Sequence, residues 1–322
     1  MKASKQKIRI GITMGDPSGI GPAVIHKALK DIRGLADFTV IGDRGVFGQM
    51  SDVRPQMSDV RFVDLSNVKR KGFSFGKIKA EYGRASIEYL DTALALIRDK
   101  AIDCLVTSPI SKEALNLAGF KYSGHTEYFI EKCKAHKTVM MLLNHKLKFS
   151  LVTRHIALKG VAQAINREKL YDNVLVTYKG LQSLFRIRRP RLVVCGLNPH
   201  ASDNGVIGKE ELEIILPAVK KIKNSLGAAI DGPLSADAAI YKAAQGRYDC
   251  VIAMYHDQAL IPLKLTGIQT GVNLTLGLGF IRTSPLHGTA FDIAGYFSKA
   301  CPQSLIEAVR LALRCRLNLK RD

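Results

Sequence analysis

Nine short apolar, β-rich runs return along the chain, and longer stretches with apolar residues at helical spacing stand between many of them. The runs cover residues 7–14, 37–43, 60–65, 103–109, 138–144, 147–153, 190–197, 249–255 and 271–277. Several are apolar at successive positions, which requires cover on both faces of the sheet they form. PAVIHKALKDI, SIEYLDTALALIRDK, VAQAINREKLYDNVLVTYKGLQSLF, KEELEIILPAVKKIK and PQSLIEAVRLALRCRL carry the helical pattern. This alternation specifies right-handed βαβ crossovers, hence an α/β fold of mostly parallel sheets. One pair of runs breaks the rhythm. TVMMLLNHKLKFSLVT holds two strands around an Asn-His-Lys turn, a predicted hairpin that marks a second domain or a subunit contact. The domain boundary therefore falls in the polar EKCKAHK stretch, near residue 134.

With 322 residues, 47% of them apolar, the chain can fill two such domains. Lysine and arginine number 48 against 28 acidic residues, so the formal charge is 48 − 28 = +20. These cations are scattered through the helical segments, with no basic tail and no aromatic pattern for base stacking, so nucleic acid is not the expected partner. No apolar run approaches the roughly 20 residues that a membrane helix needs. The basic opening runs straight into a Gly-Asp-Pro turn and reads as the first strand of a cytoplasmic protein. The six cysteines show no metal-binding spacing, and several lie in or beside apolar runs as reduced core thiols do.

The chemistry concentrates at the ends of the runs. His155, His200 and His256 each follow an apolar run by a few residues, where open α/β sheets gather ligands and catalytic groups. Separations of 45 and 56 residues rule out a local zinc finger, so the fold or a partner subunit must bring them together. Three imidazoles suit a catalytic divalent ion: zinc first, with cobalt, manganese or magnesium if carboxylates or water complete the shell. Asp257 either completes that shell, orients a ligand, or caps the helix that follows. Lys264, Asn273 and Arg282, with His125 and Thr126 ahead of a helical pattern, offer positive charge and donors to an anion. GDPSGIGP is a strand-to-helix glycine turn without a dinucleotide or phosphate-loop fingerprint. HGTAFDIAG, with backbone donors and the Asp292 carboxylate, is the alternative dinucleotide candidate.

GDPSGIGP, TSPISKEAL, SGHTEYF, VTRHIALK, CGLNPHA, AMYHDQALIPLK, GVNLTLGLGFIRTS and HGTAFDIAG resemble, in order from residue 15 to 295, the signature segments of the 4-hydroxythreonine-4-phosphate dehydrogenase family. The resemblance implies a fold similar to isocitrate and isopropylmalate dehydrogenases: two α/β domains flanking a cleft, 1–134 with 286–322 and 135–285. It implies a homodimer whose active site lies at the subunit interface. Metal ligands would be His155, His200 and His256, shared between subunits and holding Zn, Mg or Co. Substrate would be held by His125, Thr126, Lys264, Asn273 and Arg282, with Lys264 and Asp257 as the catalytic candidates. NAD or NADP would lie on Gly288, Thr289, Ala290 and Asp292. The implied reaction is oxidation of 4-phosphooxy-L-threonine and decarboxylation to 3-amino-2-oxopropyl phosphate, in pyridoxal phosphate synthesis. Alternatives are a threonate or erythronate 4-phosphate dehydrogenase, a phosphate acyltransferase of similar fold, or a basic nucleic-acid binder. The chain departs from the usual pattern at Ala23, Arg154, Gly279, Leu286 and in HASDNG, and Arg154 and Leu286 adjoin proposed site residues.

Overall fold

The computed structural model describes residues 7–50 and 60–320. Its strands, in chain order, are β1 (Arg9–Thr13), β2 (Asp37–Gly42), β3 (Arg61–Asp64), β4 (Cys104–Thr107), β5 (Val139–Leu143), β6 (Lys148–Leu151), β7 (Arg191–Cys195), β8 (Ala229–Leu234), β9 (Cys250–Ala253), β10 (Val272–Leu276) and β11 (Ile281–Pro285). All nine runs read from the sequence carry a strand; β8 and β11 are additional. The chain divides into two compact units, residues up to Ala135 with Leu278–Lys320, and His136–Gly277. The return to the first unit comes at 277/278, where the family resemblance placed it at 285/286. The reason is β11, which pairs in parallel with β4.

In the first unit the order is β3-β2-β1-β4-β11, and all four neighbouring pairs are parallel. β1, β2 and β4 are buried almost throughout, as apolar runs covered on both faces must be. The helix Gly21–Ile32 begins close behind β1, with Pro22 in its first turn and Ala23, Val24, Ile25, Ala28, Leu29 and Ile32 buried. Each fully buried Val, Ile or Leu side chain among these contributes about 1.5–3 kcal/mol. Its tight approach depends on Gly21, whose Cβ would stand 2.1 Å from the Met14 carbonyl oxygen. Three of the six cysteines lie buried on strands: Cys104, Cys195 and Cys250.

The second unit has the order β10-β5-β6-β9-β7-β8. β5 and β6 form the expected hairpin, antiparallel with Leu142 opposite Phe149. Asn144 closes it, its Oδ1 accepting from the backbone of Lys146 and Leu147 at 2.9 Å each. The same side chain donates through Nδ2 to the Leu263 carbonyl at 3.0 Å, tying the hairpin to the helix His256–Gly267. β10 runs antiparallel to β5, while β6, β9, β7 and β8 are parallel neighbours. The long helical pattern from 161 breaks at Asn166, which caps the helix Arg167–Phe185 by accepting from Lys169 N at 2.8 Å. No helix among the described residues is long and apolar enough to cross a membrane.

Candidate active site

Parallel pairing explains which histidines meet. β6 and β9 run in register with Leu151 opposite Ala253, and the ladder continues through Val152 N to Ala253 O and Thr153 N to Met254 O. The Thr153 hydroxyl adds a bond to the Met254 carbonyl at 2.6 Å. From the helix Arg167–Phe185, Asn173 accepts from Ser150 and donates to the Leu151 carbonyl, both at 2.8 Å. The two chains therefore leave the sheet side by side, and His155 and His256 arrive with ring centroids 5.6 Å apart, tilted by 50°. His256 opens the helix His256–Gly267, and its Nδ1 lies 2.7 Å from Asp257 Oδ1. A carboxylate on Nδ1 holds the ring with Nε2 as its available donor atom, the usual support of a metal-binding histidine. The N-cap of this helix is Tyr255, with no side-chain cap bond, and the Asp257 carboxylate is engaged with His256.

His200 follows β7, the other parallel neighbour of β9, yet does not join the pair. Residues 200–204 all take left-handed backbone, with φ between 43° and 70°, and carry His200 to an exposed position. There it acts on Asp237, held below the usual carboxylate range first by the Ser235 hydroxyl and in lesser part by His200. Among the described residues, no three histidine, cysteine or acidic side chains come together to hold a metal ion. The His155–His256 pair, with Asp257 behind it, fits two nitrogen donors of a divalent ion whose remaining ligands come from elsewhere.

Lys264 lies in the last turn of the same helix, exposed, eight residues from His256. At 1.5 Å per residue that is about 12 Å along the axis, so one chain keeps Lys264 apart from its own histidine pair. Asn273 sits on β10 with its Oδ1 buried and without a hydrogen-bond partner.

In the first unit, Arg282 of β11 is 1% exposed, and its Nη2 donates to Thr107 Oγ1 at 2.6 Å. Its guanidinium stands 5.8 Å from the Phe129 ring, and burial pushes its pKa down to about 9. His125 opens the helix His125–Cys133, stacks on Phe129 and donates to the Ser108 carbonyl. Its Nε2 is buried without a partner, and burial first, then Arg282, hold the imidazole well below its usual pKa. Thr126 is 3% exposed in the first turn. A buried guanidinium beside a helix N-terminus is a receptor for an anion. Thr107 and Ser108, at the carboxyl end of β4, escaped the sequence reading as site residues; their place at a strand end was the available signal.

The 287–292 segment forms a partly exposed loop. A Cβ on Gly288 would meet open space, Asp292 is exposed, and Ala290 holds φ 46°. The Thr289 carbonyl accepts from Ile20 N at 2.8 Å, so the GDPSGIGP turn braces this loop. Its open backbone and free carboxylate fit a dinucleotide's polar groups.

The sequence profile of the family described as "Pyridoxal phosphate biosynthetic protein PdxA" matches residues 24–312. A 4-hydroxythreonine-4-phosphate dehydrogenase of Sulfurihydrogenibium sp. (strain YO3AOP1) is 41% identical over 318 residues, covering 95% of this chain and 98% of the relative. A D-threonate 4-phosphate dehydrogenase of Cupriavidus necator is also 41% identical, over 94% of this chain and 95% of the relative. The crystal structure of a 4-hydroxythreonine-4-phosphate dehydrogenase from Klebsiella pneumoniae superposes with a TM-score of 0.85 at 34% identity, covering 98% of this chain and 99% of that one. Sequence and architecture agree along nearly the whole length, and the chain belongs to the PdxA family of pyridoxal phosphate biosynthetic proteins.

Proposed function

We propose that the chain is a cytoplasmic, metal-dependent dehydrogenase that oxidises the C3 hydroxyl of 4-phosphooxy-L-threonine with NAD or NADP, the resulting β-keto acid losing carbon dioxide to give 3-amino-2-oxopropyl phosphate. The observation that carries this reading is the His155–His256 pair braced by Asp257. When bound, a divalent ion (zinc, magnesium or cobalt) would polarise the hydroxyl oxygen and the dinucleotide would accept the hydride. His155, His200 and His256 would hold the ion, and Asp257 fixes the His256 ring. Arg282, His125 and Thr126 take the phosphate, since a buried guanidinium and helix donors match its oxygens. The reading also assigns Lys264 and Asn273 to substrate, and Gly288, Thr289, Ala290 and Asp292 to the dinucleotide.

The reading includes a homodimer with a shared site. His200 and Lys264 stand away from the histidine pair of their own chain, and the helix that carries Lys264 exposes Ile261 and Leu265 at 61% and 83%, with Ile268, just past its end, 58% exposed. Such a stripe is apolar surface that a second copy can cover. The test is production of reduced dinucleotide from 4-phosphooxy-L-threonine after chelation and addition of a divalent-ion series. Ion-independent turnover, or none with any ion, refutes it. The second reading, a D-threonate 4-phosphate dehydrogenase, is favoured by one residue of the histidine pocket.

A further inference from the structure

That residue is Arg154. Its backbone is fixed on both sides, by the Thr153 bonds to Met254 and by Ile156 N donating to the Arg154 carbonyl at 2.7 Å. The side chain lines a pocket of about 210 Å³ with His155, Tyr255, His256 and Asp257, and its Nη1 is buried without a hydrogen-bond partner. A guanidinium offers donors and no acceptor. Leaving one of those donors buried and unpaired is unfavourable, so a ligand oxygen that reached it from the pocket would be held.

We propose that Arg154 is a specificity-determining residue of this pocket: it favours a substrate whose carbon beside the carboxylate bears a hydroxyl over one that bears an ammonium there. The hydroxyl oxygen of the hydroxy acid satisfies Nη1, whereas an ammonium at the same carbon brings a like charge and no acceptor; the carboxylate is common to both substrates and does not discriminate. The same field is already felt within the protein, where the Lys169 ammonium is disfavoured first by burial and then by Arg154. Asp257 pulls the other way and would welcome an ammonium. Its carboxylate, however, is 68% exposed and already engaged with His256, so solvent screens it more than the buried Nη1. The proposal rests on the dehydrogenase reading, and on the acid end of the substrate entering this pocket.

The test compares kcat/KM for D-threonate 4-phosphate and 4-phosphooxy-L-threonine in the wild type, R154Q and R154K, with calorimetric binding of each phosphate to the ion-loaded protein without dinucleotide. R154Q is expected to lower the hydroxy-acid to amino-acid ratio about tenfold in both readouts, the effect of one charge-assisted contact, while R154K keeps most of it. Should R154Q melt well below the wild type, R154T serves in its place. An unchanged ratio in the neutral variants overturns the role of Arg154 and leaves the dehydrogenase standing. Failure of the wild type to turn over or bind either phosphate removes the dehydrogenase reading and the proposal with it.

Discussion

Glu211 grips Asn198 with both carboxylate oxygens: Oε1 accepts from the Asn198 backbone N–H at 2.8 Å and Oε2 from its Nδ2 at 2.9 Å. Oε1 also accepts from Leu197 N at 2.7 Å, and Glu211 is 1% exposed. This clamp holds the entry to the left-handed residues 200–204, whose backbone costs about 1–2 kcal/mol per residue without glycine. E211Q turns one acceptor into a donor facing donors. It is expected to lower the unfolding free energy by about 2–3 kcal/mol in urea titration. Divalent-ion affinity should fall at least about tenfold, because His200 loses its support.

D257N tests the orienting role of Asp257. The amide oxygen still reaches His256 Nδ1 but the charge is gone, so zinc affinity measured by calorimetry should fall about 10–100-fold. Stability should stay within about 0.5 kcal/mol, as for other exposed substitutions. Lower stability with unchanged zinc affinity is instead the signature of a helix-capping role.

Phosphate binding should take up a proton. His125 donates to the Ser108 carbonyl, and burial with Arg282 keeps it neutral, so Nε2 carries a lone pair rather than a proton. Arg282 on β11 is the charge that acts on His125, and Glu127 acts in turn on Arg282. A dianionic phosphate can receive a bond from Nε2 only if the ring is protonated on binding. At about pH 8, calorimetry in two buffers of different ionisation enthalpy should count close to one proton per inorganic phosphate, and affinity should drop about tenfold for each further pH unit. H125Q supplies a permanent donor and should abolish both effects below about pH 9, where Arg282 itself begins to lose its proton.

Asp16 is fully buried, with Oδ1 accepting from Ser18 and Oδ2 unpartnered, and burial raises its pKa to about 6. Its folded-state pKa lies above the unfolded value, so the native state binds the proton more tightly and stability falls as pH rises between the two. Above about pH 6 the whole penalty is present, on the order of 2–3 kcal/mol. D16N, whose amide oxygen keeps both Ser18 bonds, should be more stable than the wild type by that order at pH 7. The gain should vanish near pH 4 in urea unfolding.

Gly76 sets the proposed dinucleotide loop. It adopts φ 73°, donates to the Ser18 carbonyl at 2.8 Å, and a Cβ there would stand 2.7 Å from the Phe291 carbonyl oxygen. G76A must push the 287–292 turn aside. The expected result is a KM for dinucleotide raised about tenfold with the phosphate substrate's KM unchanged, since a small misplacement acts on the ligand nearest to it.

Two strands were hidden for opposite reasons. β8, AIDGPL, pairs with β7 at the sheet's edge and carries Asp231, Gly232 and Pro233, residues that an edge tolerates and that no apolar pattern reveals. β11, IRTSP, is buried at all five positions although three are polar. Arg282 bonds to Thr107, and the Thr283 hydroxyl donates to the Ala308 carbonyl at 2.8 Å, so long-range partners make its burial tolerable.

The alternation of apolar runs and helical stretches determined the α/β class, the hairpin at 138–153 and the placing of three histidines at strand ends, because periodicity and turn chemistry are local properties. Tertiary structure alone decided that His155 meets His256, that the left-handed turn carries His200 away, and that Arg154 keeps a buried donor unpaired. Those outcomes depend on the parallel register of β6 and β9 and on where a loop leaves the sheet. Both are set by many weak contacts between residues about a hundred positions apart, which no short window of sequence contains.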